Sequence, residues 1–331
     1  MIKKYDLSWG DTACVRQAFT SVYDGQELVF DRQKMNKMGY TPHYGDEKLL
    51  QHTKEIIERQ IGKKYKHIIL TNGATGAITI TLRAYAQKGF DTVVTNKPPF
   101  FPLYPKMFQA AGLKHDILSD TVENRQDVVC LIDSPSNPLG LIAQGIHKVP
   151  YISTPVVLDA VYSNNVYSPG IVDVLMHHDA MVGSYSKLLG LNGIRVGWIA
   201  TDDSLLYERL KALVDGEYAG LSGPSMDLLV EILGCFSWEN FEKESQKLLN
   251  YNREEWSKLE RFFDGKTVNP IGMFFYGPVD SKCKKLLEKS GIEWLSGDIC
   301  HDSADFGRFN LGQNCTILKE AVKSVIKNDK I

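Results

Sequence analysis

The sequence predicts an α/β domain built on a mostly parallel central sheet, with a smaller α+β domain beside it. Three observations carry this prediction. Short apolar runs rich in Val and Ile recur through the first two-thirds of the chain without polar alternation, HIILT (67–71) and DVVCLID (127–133) among them. Runs of that kind mark strands buried on both faces, as in parallel sheets covered by helices. Helix-like or loop-like segments separate the runs, giving the succession of a layered α/β sheet. Beyond about residue 203 the texture changes to long helical stretches and then to a mixture of strands and helices.

Taken in order, HIILT (67–71) leads into a helix from Thr75 to Gln87. DTVVT (91–95) is followed by a helix over 103–111 ending at Gly112, and then by DVVCLID (127–133). PVVLD (155–159), AMVGSY (180–185) and IRVGWIA (194–200) complete the strands. Segments 203–216, 224–234 and 238–263 read as helices, the last of them long, charged and amphipathic. GMFFY (272–276), a helix over 281–289, IEWL (292–295), GRFNL (307–311) and a helix from about 316 make up the remainder. The expected organisation is a large domain over 31–220 and a small domain formed by 1–30 and 221–331. Repeats and low-complexity tracts are not seen.

At 331 residues the chain can bury a large core. Apolar residues are 43% and charged residues 24%, ordinary for a soluble globular protein. Lys plus Arg is 38 against 40 for Asp plus Glu, a net charge of −2, and that balance argues for neither nucleic acid nor an anionic membrane as partner. The N-terminus MIKKYDLSWGDT has no apolar core of a secretory signal, and no apolar run approaches the roughly 20 residues of a membrane span. Six cysteines without CxxC or Cys/His spacing fit reduced thiols, so a cytoplasmic protein is expected. Asn314-Cys315-Thr316 is then read as a chance glycosylation sequon. His177-His178-Asp179 suggests a metal only weakly, because adjacent histidines point to different faces, and no metal site is expected.

In an open α/β sheet, ligands collect beyond the carboxyl ends of the strands. TNGATGA (71–77) follows a strand and opens a helix, where small residues and a helix N-terminus favour an anion; a plain tight turn fits as well. DSPSNPLG (133–140) fixes a strand-end loop with two prolines and offers the directional amide of Asn137, or is simply a loop. VVLDAVY (156–162) ends a buried strand on Asp159, with Tyr162 three residues on. A carboxylate there needs a partner, and an ordinary helix cap is the alternative.

GSYSKLLGLNGIRVGW (183–198) places Lys187 after two serines and Arg195 eight positions later, with no acidic residue between them. A surface loop is one reading. The other is a reactive amine whose pKa is lowered by its apolar neighbours Leu188 and Leu189 and by the nearby Arg195, which presents a fork suited to phosphate. GRFNLG (307–312) sets Arg308 inside an apolar strand, where a ligand carboxylate is one candidate partner.

The order of these pieces resembles the fold type I pyridoxal-phosphate enzymes, and most closely the class I/II aminotransferases. The resemblance runs from about residue 6 to 312, and the lysine-to-arginine block is its most specific part. It implies a three-layer fold and pyridoxal 5′-phosphate as cofactor. Lys187 then stands where the family forms its internal aldimine and shuttles a proton. Asp159 stands where the ring nitrogen is paired, and Asn137 and Tyr162 where the ring's phenolate oxygen is held. The phosphate is implied at Gly73, Ala74 and Thr75, with Ser184, Ser186 and Arg195 closing the cup. PFFPLY (99–104) resembles the family's Pro-x-aromatic-x-x-Tyr, so Phe101 is implied to stack on the ring.

GYTPHYG (39–45) resembles the segment whose tyrosine reaches the neighbouring subunit's phosphate, so Tyr40 implies a homodimer with shared active sites. LSWGDT (7–12) resembles the substrate entrance, with the Gly10 backbone near the substrate carboxylate and Trp9 bulkier than the aliphatic residue usual there. Arg308 stands where that carboxylate is bound. The chain is short for the group and leans toward its histidinol-phosphate aminotransferase-like branch.

The leading expectation is an aminotransferase moving an amino group between an amino acid and a 2-oxo acid. A PLP-dependent decarboxylase or lyase is the alternative on the same residues, and a non-catalytic ligand-binding or regulatory protein is the alternative of another class. A regulator of that kind carries a DNA-binding module, for which the chain has neither a spare segment nor a basic stretch. The substrate side chain is not legible, since neither a second arginine for an acidic group nor a phosphate-binding set for a phosphorylated substrate is identified. Trp9, Tyr44 and Phe100 line an apolar pocket or simply pack the core.

Overall fold

The computed structural model describes residues 3–23, 25, 39–118, 126–142, 154–167, 178–235 and 237–330. Strand β1 (Tyr5–Asp6) and helix α1 (Ala13–Val22) come first. Then follow α2 (Glu47–Ile61), β2 (His67–Thr71), α3 (Gly73–Ala86), β3 (Thr92–Thr95), α4 (Tyr104–Ala111) and β4 (Lys114–Ile117). The strands β5 (Val128–Asp133), β6 (Val156–Asp159) and β7 (Ala180–Ser184) precede a one-turn helix α5 (Tyr185–Leu188), and β8 (Gly197–Thr201) returns antiparallel. Helices α6 (Ser204–Glu217), α7 (Gly223–Gly234) and α8 (Trp238–Ser257) lead to β9 (Phe274–Pro278), α9 (Ser281–Lys289), β10 (Ile292–Glu293), β11 (Leu295–Ser296), β12 (Phe306–Asn310) and α10 (Cys315–Asp329).

The main sheet has seven strands in the order β2-β8-β7-β6-β5-β3-β4. Only β8 runs against its neighbours, so the sheet is mostly parallel, as the apolar runs predict. Period-two side-chain alternation splits each strand between two cores. Ile69 of β2 and Ile199 of β8 join Ile78, Leu206 and Leu210 on the face covered by α3 and α6. Ile68, Leu70, Trp198 and Ala200 from the same strands join Leu49, Ile56 and Leu229 on the face covered by α2 and α7. Helices on both faces make three layers. Truncating one of these buried aliphatics to Ala costs about 2–5 kcal/mol.

Beyond this sheet, β11, β12 and β9 form an antiparallel three-stranded sheet. Trp256, Phe263, Phe275 and Phe309 cluster in its core, where Leu318 and Val322 of α10 are also buried. The N-terminal segment joins this part of the chain, because Tyr5 pairs with Ile292 and Asp6 with Glu293 in a parallel bridge.

Some elements were not expected. Helix α2 is amphipathic, buries Leu49, Thr53, Ile56, Ile57 and Ile61, takes Asp46 as its N-cap and ends at Gly62 in the left-handed conformation. Strand β4, KHDI, is exposed at every position because it forms the sheet edge, where charged residues discourage further pairing. Helix α3 begins at Gly73 rather than Thr75. The expected helix over 238–263 stops at Ser257, and a separate 3₁₀ turn follows at Glu260–Phe262. The strand expected to begin at Ile194 begins at Gly197, because Arg195 adopts the left-handed conformation after a 3₁₀ turn at Asn192–Ile194.

Candidate functional site

Asp133, Asp159 and Ser184, the last residues of β5, β6 and β7, open on one cavity of about 770 Å³. Of the fifteen residues singled out in the sequence, thirteen line it, and Gly73 and Tyr40 do not. Gly73 lies directly behind the wall at φ +67, and a Cβ there would come 2.5 Å from the Arg195 guanidinium. The left-handed backbone at the start of α3 is what favours glycine there. Tyr40 is 96% exposed and far from enclosure in this protomer.

Lys187 reaches the cavity from α5. Ser184 caps that turn by accepting the Ser186 N–H at 3.1 Å, and Tyr167 Oη donates to the Lys187 carbonyl at 2.8 Å, fixing the backbone on both sides. The Lys187 ammonium donates to the Gly10 carbonyl and, at 3.4 Å, to Asn192 Oδ1. Burial lowers its pKa to about 8; Asp11 opposes the shift, and Arg308 and then Arg195 add to it. Desolvation is therefore the main cause, and of the two causes suggested by the sequence, apolar neighbours and Arg195, the cation is the smaller. The acid missing from the Lys187–Arg195 stretch is supplied by Asp11, which pairs with Arg16 at 2.8 Å and accepts from Asn192.

Arg195 points the other way, to Ser186 Oγ at 3.4 Å and the Asn192 carbonyl at 3.1 Å. No carboxylate pairs with it among the described residues. The Ser184 hydroxyl donates to the Val196 carbonyl at 3.1 Å, which leaves Ser186, Thr75, Arg195 and the α3 N-terminus as the anion-facing group.

Opposite them, Asp159 is buried and accepts from Tyr104 Oη at 2.8 Å and from the Val161 N–H at 3.1 Å. Burial pushes its pKa up. Asn137 is clamped twice: its N–H donates to Asp133 at 2.9 Å, and its Oδ1 accepts from Arg308 at 3.1 Å. A guanidinium has no acceptor, so the amide must show it oxygen, which leaves the Asn137 amino group for another partner. Arg308 also donates to the Ser8 carbonyl at 2.8 Å and stacks 4.3 Å from the Phe274 ring. Its Nε is buried with no acceptor among the described residues. Tyr162 packs edge-on between Tyr167 and Phe274, and Phe101 meets Tyr104 edge-on at 5.4 Å.

Two of the apolar-pocket candidates lie elsewhere. Phe100 is core, stacked on His301 at 4.6 Å, and Tyr44 donates to Asp215 at 2.8 Å outside the cavity. His178 contacts Tyr65, and His177 lies outside the described residues. Asp133, Tyr104, Asp11 and Asn192 were missed. Asp133 and Tyr104 each stand inside a stretch already noted, and their polarity beside apolar runs was the available signal. Asn192 lies in the 183–198 stretch and Asp11 in LSWGDT, but the bond between them beside Lys187 is made only by the fold.

Asp133 and Asp159 are direct partners across the β5–β6 register. Burial pushes the Asp133 carboxyl up to about 7, against the Asn137 N–H, and the charge of Asp159 adds to the rise. Raised in the fold from an unfolded value near 4, its stabilising contribution is complete below about pH 4 and lost as pH rises through about 7. Asp133→Asn keeps an acceptor for Asn137 and removes the charge. The variant's melting temperature, relative to the parent, should therefore rise steadily between pH 5 and pH 8; a pH-independent difference would show that Asp133 does not titrate in this range.

A family model for aminotransferases of class I and II matches residues 5–325, and the chain belongs to that family. It is an aminotransferase by that membership. A (5-formylfuran-3-yl)methyl phosphate transaminase from Methanocaldococcus jannaschii is 25% identical over 277 residues, covering 76% of this chain and 72% of that enzyme. A histidinol-phosphate aminotransferase from Anoxybacillus flavithermus is 28% identical over 175 residues, covering 46% of each. In fold, a Methanococcus jannaschii protein described as similar in its active site to kynurenine aminotransferases superposes with a TM-score of 0.75 at 19% identity, over 98% of this chain and 91% of that one.

Proposed function

We propose that this aminotransferase uses pyridoxal 5′-phosphate in the cavity, moves the amino group of an amino acid to a 2-oxo acid, and works as a cytoplasmic homodimer. The observation that carries the reading is one buried amine of lowered pKa, Lys187, sharing a cavity with the carboxylate of Asp159 and the guanidinium of Arg308.

The donor set fits the cofactor. Gly73, Ala74 and Thr75 at the α3 N-terminus, with Ser186 and Arg195, suit a phosphate, and the Arg195 guanidinium has no carboxylate partner among the described residues. Asp159 suits a protonated ring nitrogen. The Asn137 amino group, left over by Arg308, and the Tyr162 hydroxyl suit the ring oxygen. Phe101 offers an aromatic wall. When bound, the cofactor supplies an electron sink for the substrate α-carbon.

The chain's own residues do the rest. Arg308, with its unpartnered Nε, binds and orients the substrate carboxylate, and the Gly10 carbonyl and Trp9 border the entrance. Lys187 Nζ, neutral in a useful fraction near its pKa of about 8, takes the α-proton and returns it. Tyr40 is almost fully exposed and so accessible to a partner subunit. The free state of all six cysteines supports a reducing compartment. No described helix is long and apolar enough to cross a membrane.

Rapid mixing of the pyridoxal-phosphate-loaded protein with amino acids tests the reading. One equivalent of 2-oxo acid should appear together with the pyridoxamine form of the cofactor, and no CO₂. Stoichiometric CO₂ overturns amino transfer in favour of decarboxylation. Sedimentation of the loaded protein should give twice the 37.2 kDa chain mass.

A further inference from the structure

We propose that the amino donor carries an uncharged, apolar side chain, and that Leu103, Ile299 and Trp9 at the cavity mouth select it. The proposal rests on the amino-transfer reading of the same cavity and adds the substrate class.

The three residues come from separate parts of the chain: Trp9 from the N-terminal segment, Leu103 from the turn before α4, and Ile299 from the 3₁₀ turn Gly297–Cys300 that follows β11. Each is a large apolar side chain left substantially in water, at 75%, 40% and 48% exposure. Single exposed apolar residues are ordinary, but three that line one cavity give it apolar surface that gains by being covered. Buried Met107 and half-buried Leu295 add to the apolar wall of the same cavity. Leu295 is the strand partner of Arg308, so this wall begins directly beside the guanidinium that would hold the substrate carboxylate. A donor anchored there by its carboxylate can lay an apolar side chain along it.

The charges point the same way. The cations lining the cavity among the described residues are Lys187, Arg195 and Arg308, and each has a task in the proposed chemistry. The other ionisable lining groups include the carboxylates of Asp11, Asp133 and Asp159. Arg16, the cation nearest Asp11, is tied to both oxygens of that carboxylate and to the Gly190 carbonyl. An acidic or phosphorylated side chain would meet apolar surface and carboxylates, an unfavourable environment for a second negative charge.

The loaded enzyme is mixed with phenylalanine, leucine, alanine, aspartate and O-phosphoserine, and kcat/KM is measured for each half-reaction. Phenylalanine and leucine should exceed alanine by about 10- to 100-fold, the range set by burying one such side chain. Aspartate and phosphoserine should fall below alanine. In Leu103→Ser/Ile299→Ser, the loss with phenylalanine should be about tenfold greater than the loss with alanine. Preference for aspartate or phosphoserine, or equal losses with phenylalanine and alanine, overturns the proposal and leaves amino transfer standing. A loaded enzyme that reacts with no donor removes both.

Discussion

Lys187→Ala should reduce amino transfer by about 10⁴-fold or more, the scale associated with losing both a covalent anchor and a positioned general base. No described side chain stands ready to replace it. The other cations of the cavity, Arg195 and Arg308, are guanidinium groups that do not deprotonate near neutral pH. Lys187→Arg separates charge from basicity: it keeps a cation in the same place and should be as inactive as the alanine variant. Borohydride treatment with pyridoxal phosphate should fix the cofactor at residue 187 of the parent and of neither variant.

The same substitution has a stability readout that does not depend on turnover. Burial lowers the Lys187 pKa from 10.5 to about 8, so the fold opposes its charged form. That penalty is complete below about pH 8 and disappears as pH rises toward 10.5. Cofactor-free Lys187→Ala should therefore compare best with the parent at pH 7 and lose that relative advantage by pH 10. A Lys187→Ala protein that still turns over at a rate near the parent's would falsify the proposed chemistry.

The layered fold was legible because burial on both faces leaves an unmistakable record in sequence. HIILT contains no polar residue between His67 and Thr71, and its isoleucines and leucine serve two opposite cores. The edge strand KHDI was not legible for the converse reason, since it stays exposed at every position and so carries no apolar pattern. Helix α2 is a different case. Its Asp46 cap, Gly62 stop and three-to-four-residue apolar spacing were all present in the letters and passed unassigned.

At the site, residues that match a short recognisable block were found, whereas Asp11 and Asn192, whose link appears only when the N-terminal segment packs on that block, were not. Ser184, Ser186, Lys187 and Arg195 lie within twelve positions, and the structure sets them around one cavity. Asp11 touches that block only because the N-terminal segment crosses over it, 181 positions away from Asn192. Periodicity carries no information about a contact of that separation. The weight of desolvation in the lowered Lys187 pKa comes from the whole fold, whereas the string shows only apolar Leu188 and Leu189 and a nearby arginine.

Asp159→Asn should cost about 10²- to 10³-fold in the rate of α-proton removal, while leaving the fold intact. Asparagine is nearly the same shape and keeps an acceptor for the Val161 N–H at 3.1 Å, and its amino group can face the Tyr104 hydroxyl now 2.8 Å from Oδ2. What it loses is the negative charge that would hold a proton on the cofactor ring. The electron-withdrawing power supplied by that ring depends on the proton, so the loss should fall on the chemical step rather than on KM.

Stability moves the other way. Asp159 is buried, its pKa is raised by that burial, and it faces Asp133 across the register, so in the cofactor-free protein its charge is a burden. The variant should melt no lower than the parent at pH 8, and the Asp133 carboxyl should titrate below its present value of about 7 once its charged neighbour is gone. A slower enzyme that is also markedly less stable would assign Asp159 to the fold alone. A variant within threefold of the parent rate would remove it from the chemistry. Loss of rate with retained stability is the combination expected of a carboxylate that β6 places for a ligand rather than for the sheet.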